Sequence, residues 1–378
     1  MLRYLKPMNP RSPQEAHRTA SPLELFFDLV FVIAISVGGG HFHHALIEGH
    51  VWHGLIGFIM MFQCIWWAWM NFTWFATAFD NDDWLFRTLT FVQMFGVLVL
   101  AVGSEAFFTG ENLELPVIGF IIMRVALIAQ WLRASRCGGQ AGRAARLYAA
   151  GLFVVQFFWI GWIFLPQALI VPGFFAFIAL ELCVPVLAEK LGRTNWHPHH
   201  ITERYGLFTI ILLGESLLGA ANAIADAVQH REHVLLFVAL AVAALVIAAG
   251  MWWLYFWPEH HREISSLRSS LRYGYGHAFI FASAAAVSVG IEVQISHFTD
   301  HSVLGTIATN LSIGIPVAVF LLGVWLLLIH KRCQSKALYA VPIVAVASLV
   351  LPVWGIVAAM VALVVVLVIT EHRSDTVI

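Results

Sequence analysis

The chain has little charge. Asp, Glu, Lys and Arg make up only 11% of its 378 residues, whereas 60% are hydrophobic. Soluble domains carry about 25% charged residues, and a water-soluble chain of this composition would expose large apolar patches. Disorder is excluded on the same ground, because disordered chains are polar and charge-rich. Neither sign of charge dominates, with 21 Lys+Arg against 22 Asp+Glu, so no basic surface for nucleic acid is expected. Cysteine is sparse, and Cys64, Cys137, Cys183 and Cys333 have no paired or CxxC spacing. That pattern predicts neither a disulfide framework nor a cysteine metal site. G-x-S-x-G, Walker A, G-x-G-x-x-G and H-E-x-x-H patterns are also lacking. The loops are too short for a soluble catalytic domain, so the sequence predicts no enzyme, no cofactor and no metal. The polar, basic stretch Met1 to Ser21 has no apolar core with a cleavage site and predicts no signal peptide.

What the chain does have is long apolar runs. A helix needs roughly 20 apolar residues to cross a bilayer, and this chain supplies about twelve such stretches. They fall at 23–47, 51–78, 85–108, 114–134, 147–165, 168–188, 203–225, 233–257, 273–295, 302–329, 337–352 and 353–370. The expected fold is therefore all-α, a polytopic helical membrane protein in contact with the lipid bilayer. Of the 21 Lys and Arg residues, all but Arg124 and Arg231 fall on one side of this arrangement. The positive-inside rule makes that side cytoplasmic and places the N-terminus there.

The two halves resemble each other. Glu24-Leu25-Phe26 and Glu203-Arg204-Tyr205 open the first and seventh stretches. Trp66-Trp67 returns as Trp252-Trp253, and Val102-Gly103-x-Glu105 returns as Val289-Gly290-x-Glu292, in the same order. These matches predict two parallel six-helix repeats. The expected boundaries are an N-terminal tail at 1–22, a first repeat at 23–190, a linker at 191–202, a second repeat at 203–370 and a C-terminal tail at 371–378.

Ionisable side chains inside a bilayer cost about 2.5–3.5 kcal/mol or more and turn toward cavities or each other. Here they are Glu24, Asp28, Glu105, Arg124, Glu181, Glu215, His277 and Glu292. Depth along the helices puts Arg124 within reach of Glu181, which makes these two the expected buried ion pair, with Asp28 as the second choice of partner. Glu24 and Asp28 share one helix face. Ser21-Pro22-Leu23-Glu24 also reads as a helix start, so Glu24 has a capping role open to it. Asp28 and Glu215 lie well inside their helices and are the leading candidates for an ion or proton pathway, with Glu105, Glu292, Glu24 and Asn71 beside them. Asn71 stands among Trp66, Trp67, Trp69 and Trp74, in what could otherwise be an aromatic belt.

Asp80-Asn81-Asp82-Asp83 precedes the third helix, where acids cap a helix and favour its dipole, or gather a cation at an inner mouth. Several of the 18 histidines, among them His41, His43 and His44, fall on the predicted outer side, where they could sense pH.

These blocks resemble the bacterial low temperature requirement A family. The resemblance rests on Ser21-Pro22-Leu23-Glu24-Leu25-Phe26-Phe27-Asp28, on Trp74-Phe75 with Asp80, Asp82, Asp83 and Arg87, and on Glu203-Arg204-Tyr205-Gly206 with Leu213-Gly214-Glu215-Ser216. It implies a bacterial inner-membrane protein in which these motif residues matter. The family is named for a cold-growth phenotype, and the resemblance implies no particular substrate. Phe26-Phe27-Asp28 is also similar to the Phe-Ser-Asp signature of lysosomal-type potassium channels, with Phe27 in the place of Ser. The expected function is a transporter or channel moving protons, cations or a small solute along buried carboxylates. The alternative is a membrane sensor or scaffold in which the same acids only join helices. Oligomeric state is not legible in the sequence.

Overall fold

The computed structural model describes residues 5–15, 18–230, 233–332 and 335–375. Cys333, Arg3 of the expected N-terminal tail, and Arg231 lie outside the described residues. Every regular element among the described residues is helical. In chain order these are α1 (Pro22–Ile47), α2 (Val51–Phe79), α3 (Trp84–Val102), α4 (Ala106–Thr109), α5 (Glu114–Ala134), α6 (Gly139–Trp162) and α7 (Gln167–Leu191). They continue with α8 (Pro198–His230), α9 (Val234–Phe256), α10 (Leu267–Phe298), α11 (Thr306–Val324), α12 (Ala340–Ala347) and α13 (Val353–Asp375).

Eleven helices among the described residues are long and apolar enough to cross a bilayer, not twelve. The stretch expected at 337–352 is a short helical segment, Lys336–Ala347. At 1.5 Å per residue it falls well short of a hydrocarbon core of about 30 Å. A turn follows at 348–350, and Pro352 cannot continue a helix without losing a hydrogen bond. The third stretch, expected at 85–108, ends at Val102. Gly103 caps it where the chain packs on the start of α5, and a Cβ on Gly103 would lie 2.6 Å from the Cδ of Pro116.

Helix α1 shows why these segments suit lipid. Phe26, Leu29, Ile33 and Val37 recur at helical spacing and are exposed, while Phe27, Asp28, Phe31, Ala34 and Ile35 are buried. The apolar stripe faces outward and the charge inward, the reverse of a helix in water. Such a face is stable against acyl chains and would be a large exposed patch otherwise.

The described chain divides into two compact units. The first comprises Met1–Gly38 and Ile56–Leu207, the second Gly39–Leu55 and Phe208–Ile378. The division does not follow chain order, because the end of α1, the turn after it and the start of α2 belong to the second unit. In the first unit the core is indole-rich: Trp66, Trp67, Trp69, Trp131, Trp159 and Trp162 are all fully buried. Helices α3 and α5 approach closely there, with Gly119 against the backbone of Gly96 and Leu100. In the second unit Tyr255, Tyr273, Phe281 and Phe320 are fully buried.

Candidate functional site

Glu24 and Asp28, one turn apart in α1, are both fully buried. Helix α8 brings Arg204 against them, also fully buried. Arg204 Nε donates to Asp28 Oδ2 at 3.0 Å, Nη2 to Asp28 Oδ1 at 2.5 Å, and Nη1 to Glu24 Oε1 at 2.8 Å. This is the two-pronged guanidinium–carboxylate geometry that lysine cannot reproduce. The Trp69 indole adds a hydrogen bond to Asp28 Oδ1 at 2.6 Å.

One turn before Arg204, His200 places Nε2 3.2 Å from Glu24 Oε1 and Nδ1 3.0 Å from Thr77 Oγ1. Glu24 also closes a capping box: it accepts from the Ser21 N–H at 2.8 Å, and its own N–H donates to Ser21 Oγ at 3.3 Å. Neighbouring Glu203 accepts from the Ala20 N–H at 3.2 Å, which ties the residues before α1 to α8.

One sequence expectation changes here. Asp28, expected as a pathway carboxylate with Arg124 as its possible partner, pairs with Arg204, and the helix expected to open at 203 starts earlier. Helix α8 starts at Pro198, a residue suited to a first turn, so His200 and Arg204 lie inside the helix. The signal was present in the spacing. Glu24/Asp28 and His200/Arg204 are each four apart, so each pair presents one face of its helix.

A second buried group lies deeper in the same unit. Arg124 of α5 has Nη2 3.5 Å from Glu181 Oε2 of α7, and both side chains are buried. Both Glu181 oxygens are already engaged, Oε2 by Trp67 Nε1 at 2.8 Å and Oε1 by Trp159 Nε1 at 3.1 Å. The Arg124 guanidinium lies 4.5 Å from the Phe120 ring centroid, a cation–π contact. Asn71 turns to its own helix, donating from Nδ2 to the Trp67 carbonyl at 2.7 Å.

The aspartate run has its own arginines. Asp83 caps α3 by accepting from the Phe86 N–H at 2.9 Å, and it accepts from Arg133 Nη1 at 2.8 Å. Burial opposes ionisation of Asp83, but Arg133 and the cap outweigh it and hold the carboxyl below its usual range. The hydrogen bonds from Arg87, at 2.8 and 2.6 Å, do the same for Asp82. Burial, and then the Glu24 charge, push Asp80 up despite Arg18 at 3.5 Å and Arg11 at 3.6 Å. Each carboxylate of the run thus has a cationic neighbour.

In the second unit Glu215 of α8 and Glu292 of α10 come together. Gly219, one turn beyond Glu215, lies so close to Glu292 that a Cβ there would be 2.8 Å from Oε1, and Glu215 is an electrostatic neighbour of Glu292. His43 joins them, with Nε2 2.9 Å from Ser296 Oγ and a hydrogen bond to the Glu292 backbone. Glu215, Glu292, His41 and His43 are half-buried, and His44 is exposed. Glu105, expected to match Glu292, is exposed and sits beyond the end of α3, so it joins neither buried group. The early stop of α3 is the reason.

The sequence reading singled out His277 but missed the chain of rings around it. Tyr255 Oη lies 3.0 Å from His277 Nε2, and His277 Nδ1 donates to the Tyr273 carbonyl at 2.7 Å. His260 Nε2 donates to the Tyr255 carbonyl at 2.6 Å, and its Nδ1 accepts from Tyr273 Oη at 3.1 Å. Tyr255 and Tyr273 also interact through their side chains. Among the described residues no group of three or more His, Cys, Asp or Glu is arranged to hold a metal ion.

The sequence profile of the family described as bacterial low temperature requirement A protein matches residues 19–371, nearly the whole chain. An uncharacterized protein of Rhizobium meliloti (strain 1021) is 27% identical over 248 residues, which cover 63% of this chain and 58% of that relative. The match thus spans little more than half of the relative's length. No solved structure matches the chain.

Proposed function

The chain belongs to the bacterial low temperature requirement A family of membrane proteins, and on that premise we propose that it moves protons or small monovalent cations across the bacterial inner membrane, with its N-terminus in the cytoplasm. The observation that carries this reading is the charge count at Arg204. Two fully buried carboxylates, Glu24 and Asp28, share one guanidinium. With both carboxylates ionised and His200 neutral the group holds one uncompensated negative charge, and one proton, on His200 or on either carboxylate, removes it.

A net charge in the protein interior costs several kcal/mol, so the group gains from taking up one positive charge, a proton on His200 or a cation beside Glu24. Loading and unloading that charge is the elementary step of a carrier or channel site. The paired acids Glu215 and Glu292, with His43, are a second set of exchangeable groups within their own unit. The duplicated sequence blocks support a transporter built from two parallel six-helix repeats.

The test is ion flux in proteoliposomes of the purified protein under proton and potassium gradients, read with a pH-sensitive dye. Wild-type flux is expected, with loss in Asp28→Asn and in His200→Gln protein that remains folded. Silence of well-folded wild type under both gradients would overturn the reading. It would also favour the sensor or scaffold alternative, which the capping box and the full set of hydrogen bonds at Asp28 support.

A further inference from the structure

The ion pair of Arg124 leaves its hydrogen-bonding capacity unused. The side chain is fully buried, and Nε, Nη1 and Nη2 have no hydrogen-bond partner among the described residues. A guanidinium carries five N–H donors in a fixed plane. Glu181, whose oxygens accept from the indoles of Trp67 and Trp159, makes no hydrogen bond with them. Its separation from Arg124, 3.5 Å, exceeds the roughly 2.7–2.9 Å of a charge-assisted hydrogen bond. Leaving a buried donor without an acceptor costs about 1–3 kcal/mol, and more when the group is charged. Phe120 covers one face of the guanidinium, so a ligand meets Arg124 at the edge of the plane, where the N–H bonds point.

We propose that Arg124 is the docking point for a small monovalent anion, a carboxylate head group or a halide, which binds together with one proton. The coupling follows from charge balance. Arg124 and Glu181 are neutral as a pair, and an added anion alone would leave a net negative charge in the interior. A proton taken from solvent by the Glu181 carboxylate cancels it, and Arg124 then turns its donors to the anion. The charged and titratable neighbours of Arg124 are Glu181 and Cys64 of α2. Trp67 of α2 and Trp159 of α6 contribute neutral indoles, and Phe120 of α5 an apolar ring. Glu181 is therefore the carboxylate that takes the proton. The guanidinium fixes the ligand class, because it offers only donors and suits an acceptor with two oxygens or a single spherical charge.

The inference concerns binding and is tested without a flux assay, so it stands or falls apart from the transport reading. Full-length protein in detergent is titrated at constant ionic strength with sodium acetate and with sodium chloride, and thermal unfolding is followed in mildly acidic and mildly alkaline buffer. The expected result is a saturable rise in Tm with acetate, chloride or both, with apparent affinity weaker in the alkaline buffer than in the acidic one, as binding that takes up a proton requires. Glu181→Gln is expected to bind the same anion with no pH dependence, and more tightly than wild type in alkaline buffer. Arg124→Gln is expected to lose the saturable response. If Arg124→Gln does not fold, wild type and Glu181→Gln decide the matter. A Tm that does not change with either anion at either pH overturns the proposal. So does a Glu181→Gln protein that keeps the wild-type pH dependence.

Discussion

Arg204 Nη2 and Asp28 Oδ1 lie 2.5 Å apart, joining two helices from distant parts of the sequence in a fully buried contact. Removing one partner of such a pair strands the other charge, at about 3–5 kcal/mol. Arg204→Gln strands two carboxylates, whereas Asp28→Asn leaves Arg204 paired with Glu24 and keeps an amide oxygen for the Trp69 indole. Arg204→Gln is therefore expected to lower Tm in detergent well beyond Asp28→Asn. Equal losses would show that Glu24 contributes nothing to holding Arg204.

Asp83 is expected to be structural. It caps α3 and pairs with Arg133, and loss of a cap alone costs about 0.5–2 kcal/mol. Asp83→Ala should reduce stability by this order, and Asp83→Asn, which can still accept from the Phe86 N–H, should recover part of it. Thermal unfolding of both variants checks the order.

The pH dependence of stability has a definite sign at His260. Burial pushes this imidazole down to about 4 from an ordinary value of 6.5. Its hydrogen bonds suit the neutral ring, with Nε2 donating to Tyr255 and Nδ1 accepting from Tyr273. Between those two values the unfolded chain binds the proton and the folded one does not. Stability is thus full above 6.5 and falls as pH drops toward 4. The ring is half-buried and solvent screens part of the shift, so the loss is at most about 3 kcal/mol. His260→Gln is expected to flatten apparent Tm across this window, and an unchanged slope would place the acid sensitivity elsewhere.

Two glycines separate packing from conformational preference. A Cβ on Gly119 would meet the backbone of Gly96 and Leu100, which cannot move aside as a side-chain tip can, whereas a Cβ on Gly214 meets nothing within 4 Å. Gly119→Ala should cost about 1–3 kcal/mol by forcing α3 and α5 apart. Gly214→Ala, in mid-helix with open space, should raise stability by up to about 1 kcal/mol. Unfolding of both variants under one condition makes the comparison.

The membrane class of the chain was legible because composition and apolar run length depend on no tertiary detail. The expected closeness of Arg124 and Glu181 came from counting 1.5 Å per residue along each helix, and the two stand 3.5 Å apart. The pairing of His200 and Arg204 with α1 was hidden because Pro198 starts α8 earlier than hydropathy suggests, His197-Pro198-His199-His200 being too polar to enter an apolar window. Glu105 was misjudged for the opposite reason: the apolar run continues past Val102, but the backbone turns at Gly103 where it meets Pro116. The rings around His277 were hidden because tyrosine and histidine in apolar helices give no periodic signal. Their partners are fixed only by how α9 and α10 pack.

Glu215 and Glu292 offer the last prediction. Gly219 leaves room for the Glu292 carboxyl beside α8, and the two acids feel each other's charge. The two acids are electrostatic neighbours on facing helices of one unit. If this pair exchanges the proton that crosses the membrane, it acts as a unit and its variants are not additive. Glu215→Gln and Glu292→Gln should each reduce proton flux in proteoliposomes at least about tenfold, and the double variant should lose no more than the stronger single one. Losses that multiply in the double variant would mean that the two carboxylates work independently. Unchanged flux in both singles would remove the pair from the pathway and leave the Glu24, Asp28 and His200 group to carry it.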